Sequence, residues 1–144
     1  MTQLIYSALP EPRRPLVSVP PVVSVSQCID MMTKQNIGAL VVLDEDEIIG
    51  IVSERDIVRA SLKKDFNLYT TTALDVAYSD FSVLNLNDPV ERAMEVITST
   101  KRRHVLVSEE GDLVAILSIG DLLFFLLEEK TRVIEQLENY IHTY

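Results

Sequence analysis

Two serine–aspartate pairs have the spacing of a helix start that can bind an anion and a diol. Ser53 is followed three residues later by Asp56, and Ser118 is followed in the same way by Asp121. The first turn of a helix presents free N–H groups and a partial positive charge, which suit a phosphate. A carboxylate one turn on can accept two hydrogen bonds from a vicinal diol. The same spacing is also a local helix cap, so both interpretations stay open here.

Basic side chains form three clusters in a chain whose formal net charge is −9. Each cluster can hold an anionic ligand, or can lie near a helix C-terminus where cations suit the dipole. A surface this acidic repels phosphate backbones, so we expect no nucleic-acid partner. The clusters are Arg55 with Arg59, Lys63 with Lys64, and Lys101 to Arg103 beside His104.

Residue types that carry catalysis are scarce. The two histidines are His104 and His142, and the single cysteine, Cys28, lies on an apolar helical pattern that is typical of inert packing. The sequence has no cluster with metal-ligand spacing and no phosphate-cradling glycine loop. We therefore predict no catalytic residues, no metal site, no required cofactor and no enzymatic activity.

The sequence gives no sign of a membrane segment or a secretory leader. The longest obvious apolar run, Leu122 to Leu127, is far shorter than the roughly 18 residues a membrane helix needs. The first residues lack the basic flank and long apolar stretch of a signal peptide. One cysteine excludes an intrachain disulfide. These features predict a cytoplasmic protein with no membrane partner.

The elements that would position the serine–aspartate pairs come in two copies. An offset of 65 residues places Gly50 to Asp56 over Ala115 to Asp121, and apolar positions match apolar positions from about Val25 to Leu62. We predict copies at residues 15–66 and 74–130, joined by a linker at 67–73. Residues 1–14 are expected to form a flexible N-terminal arm, and residues 131–144 a C-terminal helix extension.

In the first copy the pattern predicts an extended segment at 16–19, followed by a helix that Ser24 and Gln27 open with a capping box. Two apolar runs, 39–43 and 48–52, form a buried hairpin. A second helix begins at Ser53 and continues to about Lys64.

The second copy follows the same order. Asp88 and Glu91, with Pro89 between them, predict a capping box at a helix start. Strands are expected at 104–108 and 113–117, and the last helix runs from Ser118 to about Ile141. The predicted fold class is α/β (α+β), with two β-α-β-β-α units.

This organisation resembles the CBS domain, named after cystathionine β-synthase, and its tandem pair, the Bateman module. The likeness covers about residues 15–130, and the ending at residues 134–141 also resembles that of small stand-alone bacterial CBS-pair proteins. Two positions depart from the family pattern: Ala115 replaces a glycine, and Leu106 replaces a common proline. The segments that carry the likeness are Asn36 to Val42, Gly50 to Asp56, Arg103 to Val105, Ser118 to Leu122 and Ile134 to Ile141.

The resemblance implies a pseudo-two-fold pair that senses an adenine-containing nucleotide in a cleft between the copies. Candidate ligands are AMP, ADP, ATP, NAD and S-adenosylmethionine. In the family, adenine lies against strand residues and backbone groups, the acids bind the ribose, and the cations contact phosphate. The expected binding residues are Ile37, Gly38, Ala39, Ser53, Arg55, Asp56, Arg103, His104, Ser118, Gly120 and Asp121.

A structural protein–protein interaction module with empty clefts is the alternative. The paired serines and aspartates favour the sensor, whereas Ala115 and the sparse basic charge of the first copy favour the alternative. We expect the tighter of the two sites at Ser118 and Asp121, because Gly120 leaves that helix start uncrowded and the segment Arg103-His104 supplies at least one fixed cation.

The last helix predicts self-association. Apolar residues occupy nearly every side of 122–127, which predicts a homodimer like the flat two-fold dimers of the family. A later stripe is expected to pack on the dimer mate or back across the module, because isolated helices are marginal in water. That stripe contains Leu127, Val133, Ile134, Leu137 and Ile141.

Overall fold

Residues 3–143 are described by the computed structural model, and their contacts divide them into two units. The first unit comprises residues 13–82, and the second unit combines residues 3–12 with residues 83–143. In chain order the elements are α1 (Ile5–Ala8), β1 (Ser18–Val19), α2 (Val25–Gln35), β2 (Ala39–Asp44), β3 (Glu47–Ser53), α3 (Glu54–Ala60), α4 (Ala73–Val76), β4 (Val83–Asn85), α5 (Val90–Thr100), β5 (His104–Glu109), β6 (Asp112–Ser118) and α6 (Ile119–Thr143).

Each unit contains one three-stranded sheet in which a short parallel strand flanks an antiparallel hairpin. Val41, in β2, pairs with Ser18 on one side and Ile51 on the other. In the other unit Leu106 pairs in the same way with Val83 and Ile116. All these pairs are related by the offset of 65 residues, so the predicted duplication and mixed α+β fold are confirmed.

The two hairpins also share their irregularities. The register shifts after Val42 in one unit and after Val107 in the other. Both turns use two consecutive residues with positive φ, Glu45 and Asp46 in the first hairpin and Glu110 and Gly111 in the second. Such turns match the right-handed twist of the paired strands, so the copies agree down to the local backbone.

The core of the 13–82 unit lies between the sheet and α2. Ser24 and Gln27 form the predicted capping box at the start of α2, and the helix ends at Asn36, whose φ is 53°. Asparagine tolerates this left-handed conformation better than most residues. α3 ends at Ala60, before the predicted end at Lys64. Buried apolar residues of this unit include Val25, Cys28, Leu40, Val42 and Val52.

The N-terminal residues correct the prediction of a flexible arm over 1–14. Ile5 is fully buried in the core of the second unit, together with Ala8 and Leu9. The N–H of Ile5 donates to the carbonyl of Asp88 at 2.9 Å. α1 is only four residues long, so the sequence offers no helical periodicity from which its burial could have been predicted.

The segment predicted as a linker also packs. Ala73 is fully buried in the 13–82 unit, and its N–H donates to the carbonyl of Val23 at 2.8 Å. Thr72 and Asp75 form a capping box at the start of α4, and the backbone N–H of Thr72 lowers the pKa of the Asp75 carboxyl. The sequence assigned residues 74–82 to the second copy, but their contacts place them in the first unit, with the sheet of β1 to β3.

The capping box predicted at Asp88 and Glu91 is wrong. Pro89 precedes α5, and no side chain caps that helix. The Asp88 carboxylate instead accepts the N–H of Asn85 at 2.8 Å, which stabilises the turn after β4. Aspartate side chains commonly bond to nearby backbone N–H groups in turns, and here that local bond replaces the predicted cap.

α6 is a 25-residue helix whose two ends have different surroundings. Leu122 is buried and Phe125 packs against the second core, whereas Leu123, Phe124 and Leu127 are exposed. Residues 131–142 are exposed throughout, so packing of the later stripe back across the module is not observed. Among the described residues, no helix combines the length and apolar character that crossing a membrane requires.

Gly50 allows a close approach of two backbone segments. Ile51 and Tyr78 exchange two backbone hydrogen bonds of 3.0 Å, which bring residues 77–78 against β3. A Cβ on Gly50 would lie 3.0 Å from both the Cβ of Ala77 and the carbonyl oxygen of Tyr78. Glycine is therefore required at this position by packing within the unit.

We expect Gly50→Ala to lower the free energy of unfolding by about 1–3 kcal/mol, since the added methyl group must displace backbone. The matched control is Gly120→Ala, whose Cβ would meet only the Ser118 Oγ, at 3.5 Å. Alanine in a helix should leave stability unchanged or raise it by up to about 1 kcal/mol. Urea unfolding measures both, and equal stability of the two variants would contradict the assigned role of Gly50.

Candidate functional site

The first serine–aspartate pair forms a complete capping box where β3 enters α3. Ser53 is buried, and its Oγ accepts the N–H of Asp56 at 3.3 Å. The Oδ2 of Asp56 accepts the N–H of Ser53 at 2.9 Å and the Ser53 hydroxyl at 2.6 Å. The pair therefore closes on itself and fixes the start of α3.

The second pair forms the same structure where β6 enters α6. The Oγ of Ser118 accepts the N–H of Asp121 at 3.0 Å, and the Oδ2 of Asp121 accepts the N–H of Ser118 at 2.9 Å. Gly120, between them, is exposed and leaves the first turn uncrowded. Helix capping, one of the two interpretations of this motif, is confirmed at both positions.

Capping leaves the carboxylates able to bind a further group. Each cap takes its hydrogen bonds at Oδ2, and a carboxylate offers about four lone-pair positions in all. Asp56 and Asp121 are both partly exposed, so an additional donor can reach them. The two interpretations of the motif are therefore compatible.

A backbone hydrogen bond brings the loop before each hairpin to the helix after it. The N–H of Glu54 donates to the carbonyl of Gly38 at 3.0 Å, and the N–H of Ile119 donates to the carbonyl of Arg103 at 2.8 Å. We call this bond the loop–helix clamp. It occurs at equivalent positions in the two units, and it gathers the candidate residues of each unit at one end of its hairpin.

The predicted residues of each unit are therefore close together. Ala39 is the strand partner of Ser53 in the first unit, and His104 is the strand partner of Ser118 in the second. Ile37 and Ala39 are buried. The side chains of Arg55 and Arg103 are exposed, whereas His104 is half-buried.

The charge around the clamp differs between the two units. In the second unit Arg103 stands at the position that Gly38 holds in the first, and Ile119 stands where the first has Glu54. Glu54 was not among the predicted residues. A Cβ on Gly38 would lie 3.4 Å from its Oε1, so this carboxylate lies over the loop. Its position directly after Ser53 was the signal that the sequence carried.

A groove of about 550 Å³ lies between α2 and α3 in the first unit. Its lining mixes apolar side chains with polar ones, the latter supplied by Thr33, Asn36 and Glu54. Of the predicted binding residues, Ile37 and Gly38 line it. The complete lining is Ile29, Met32, Thr33, Asn36, Ile37, Gly38, Glu54, Ile57 and Val58.

Ala115, which was expected to crowd a ligand, and Cys28, which was expected to be inert, both lie in the cores. Ala115 is buried in the second core, opposite Val107, so its methyl group fills that core. Cys28 is fully buried, and burial raises the pKa of its thiol, which keeps the thiol protonated and unreactive. Within residues 3–143, no group of three or more potential metal ligands comes together.

The family comparison matches both copies. The model of the CBS domain matches residues 7–63 and again residues 73–128. A curated relative, the mitochondrial CBS domain-containing protein CBSX3 of Arabidopsis thaliana, is 26% identical over 123 residues, which cover 82% of this chain and 60% of that protein. The chain thus spans less than two thirds of the length of this relative.

Solved structures of similar length share the fold. The CBS domain protein PAE2072 from Pyrobaculum aerophilum, complexed with AMP, is 34% identical with a TM-score of 0.74, covering 90% of this chain and 99% of that one. The CBS-domain containing protein ATU1752 from Agrobacterium tumefaciens is 30% identical with a TM-score of 0.75, covering 84% and 97%. The chain belongs to the CBS-domain family and carries two copies of its domain.

Proposed function

We propose that this protein is a non-catalytic regulatory module that binds an adenine-containing nucleotide, with AMP, ADP, ATP, NAD and S-adenosylmethionine as the candidates. The observation that carries the proposal is the loop–helix clamp. In each unit it places a capped helix start, a partly exposed carboxylate and the backbone of the preceding loop side by side.

Each part of a nucleotide has a group suited to it. The start of α6 attracts phosphate through its dipole, and the exposed Arg103 adds a charged donor. Asp121 accepts hydrogen bonds from the ribose hydroxyls while its Oδ2 still caps the helix. Backbone groups beside Ile37 to Ala39, or beside Arg102 to His104, contact the adenine.

The charge difference between the units supports a tighter site in the second. Arg103 and His104 lie beside Ser118, whereas the equivalent loop of the first unit carries no charge and lies beside the carboxylate of Glu54. A phosphate is attracted to Arg103 in the second unit, whereas in the first unit the carboxylate of Glu54 opposes the attraction of its neighbour Arg55. We therefore assign the tighter binding to Ser118, Gly120 and Asp121.

The comparisons support the ligand class. PAE2072, which is 34% identical over most of both chains, was solved in complex with AMP. For this chain AMP is accordingly the first nucleotide to test.

The alternative is a structural interaction module that binds no nucleotide. It is favoured by the two complete capping boxes, which account for both serine–aspartate pairs without a ligand.

A thermal-shift assay against AMP, ADP, ATP, NAD and S-adenosylmethionine separates the two functions. At a concentration 100-fold above its Kd, a ligand that binds the folded state adds about 2.7 kcal/mol to the free energy of unfolding, and the melting temperature rises. Guanosine monophosphate is the control for base recognition. An unchanged melting temperature with every adenine compound would favour the structural module.

Calorimetry on two variants tests the assignment of the tighter site. Asp121→Ala should weaken AMP binding by about 2–3 kcal/mol, or roughly 30- to 150-fold, because two hydrogen bonds to a charged acceptor are lost. Asp56→Ala should leave the tighter site unchanged. The reverse result would place the tighter site in the first unit. If neither variant changes AMP binding, the assignment of the ribose to these carboxylates is wrong.

Asp121→Asn separates binding from capping. The amide oxygen can still accept the Ser118 N–H, but the charge is lost and the amide nitrogen cannot accept a bond from the second hydroxyl. We expect weaker AMP binding with the free energy of unfolding close to that of the wild type, measured by urea unfolding. A loss of stability equal to that of Asp121→Ala would show that the cap itself had failed.

We also propose that the protein is a homodimer. The two units expose apolar side chains at equivalent positions: Val58 in α3 and Leu62 just after it in the first unit, and Leu123 and Leu127 in α6 in the second. Exposed apolar clusters that recur at matched positions mark an association surface. Static light scattering at micromolar concentration should give twice the mass of the chain, whereas the mass of a single chain would contradict the proposal.

A further inference from the structure

From its second turn to its last, α6 carries an exposed apolar stripe with alternating spacings of three and four residues. The spacing is that of two helices packed along a common seam. One of its positions holds a lysine, and we call the whole set the C-terminal stripe. It consists of Leu123, Leu127, Lys130, Ile134, Leu137 and Ile141.

The exposure of the stripe is large and continuous. Its five apolar side chains are between 54% and 68% exposed. Val133 and Tyr140, which lie along one flank of the stripe, are exposed to a similar degree. The opposite face of the same turns carries polar side chains, including Arg132 and Glu129, which form an ion pair of 2.7 Å. α6 is therefore amphipathic along residues 123–141, with its apolar side uncovered.

We propose that the C-terminal stripe binds the same stripe of a second copy, with the two helices antiparallel. The proposal rests on the homodimer proposed above and defines where the two chains meet. A two-fold interface requires a surface that is complementary to itself. In the antiparallel register Leu127 packs against the partner's Leu137, and Leu123 packs against the partner's Ile141.

Lys130 decides the direction of the pairing. In a parallel, in-register pair it would face the partner's Lys130 in the middle of the seam, and two like charges would be desolvated together. In the antiparallel register it faces the partner's Ile134, one helical turn from the partner's Glu138. A lysine can keep its alkyl stem on the apolar seam and its ammonium group beside that carboxylate.

The flank of the stripe supports the same register. In antiparallel helices the residues along one flank meet the same flank of the partner. Leu126 then lies near the partner's Tyr140, and Val133 lies near the partner's Val133. The apolar flank is thus covered along with the seam. The paired segment, residues 123–141, is about 28 Å long at 1.5 Å per residue.

Cysteine cross-linking tests the contact and its direction. Leu127→Cys and Leu137→Cys are prepared in the full chain, one with an affinity tag, and oxidised separately and after equilibration as a mixture. A disulfide needs Cα atoms within about 7 Å. We expect the mixed disulfide in the mixture and little product from either variant alone. Homodimeric products from each variant alone would instead indicate parallel helices, and no product in any sample would overturn the contact. Wild-type protein, which retains the buried Cys28, is the control.

A second experiment measures the contribution of the stripe to association. Ile134→Glu places a charge in the seam and should raise the dimer dissociation constant at least about tenfold, as measured by sedimentation velocity. Gln136→Glu adds the same charge outside the stripe and should leave the constant unchanged. If the wild type is dimeric but the two variants behave alike, the stripe proposal is wrong and the homodimer stands. A monomeric wild type overturns both.

Discussion

The helix that follows each hairpin begins beside the loop that precedes it, because one backbone hydrogen bond joins the two. Glu54 binds the carbonyl of Gly38, and Ile119 binds that of Arg103. Both bonds lie at the ends of strands that are buried, where an unpaired backbone group would be costly. The capping boxes satisfy further N–H groups of the same helix starts. The same hydrogen bonds also position the candidate ligand-binding groups. The stability of each unit and the geometry of its site therefore depend on the same few bonds.

Duplication has kept this backbone and changed its charge. Register, bulges and positive-φ turns repeat at the same offset in both units, whereas Gly38 and Glu54 in one unit correspond to Arg103 and Ile119 in the other. None of these four side chains is needed to hold the hairpin, because the clamp uses only main-chain atoms. The loop before the hairpin and the first helical residue are therefore free to set ligand preference, while the strand residues are restricted by packing.

The sequence predicted the parts of the fold that repeat or that have a long period. The hairpins, α2, and the long α6 follow from apolar patterns, and the serine–aspartate boxes follow from local capping chemistry. Short segments were predicted poorly. Ile5 and Ala73 belong to helices of four residues, whose burial depends on contacts with distant strands and not on their own pattern. Asp88 shows a second limit, since its carboxylate binds the backbone of the preceding turn and not the helix start that the local pattern predicted. Glu54 was missed because its place over Gly38 depends on the clamp, which joins residues far apart in sequence.

α6 connects the candidate site with the surface proposed for association. Its first two turns contain Asp121 and pack Leu122 and Phe125 against the core, and the exposed stripe runs from Leu123 to Ile141. A helix held at one end by a core and uncovered at the other has little stability of its own in the uncovered part. A partner that orders the uncovered part therefore stabilises the same helix whose start is capped by Asp121. Linkage makes any such effect reciprocal for binding free energies: a nucleotide that strengthens the dimer must itself be bound more tightly by the dimer, by the same factor.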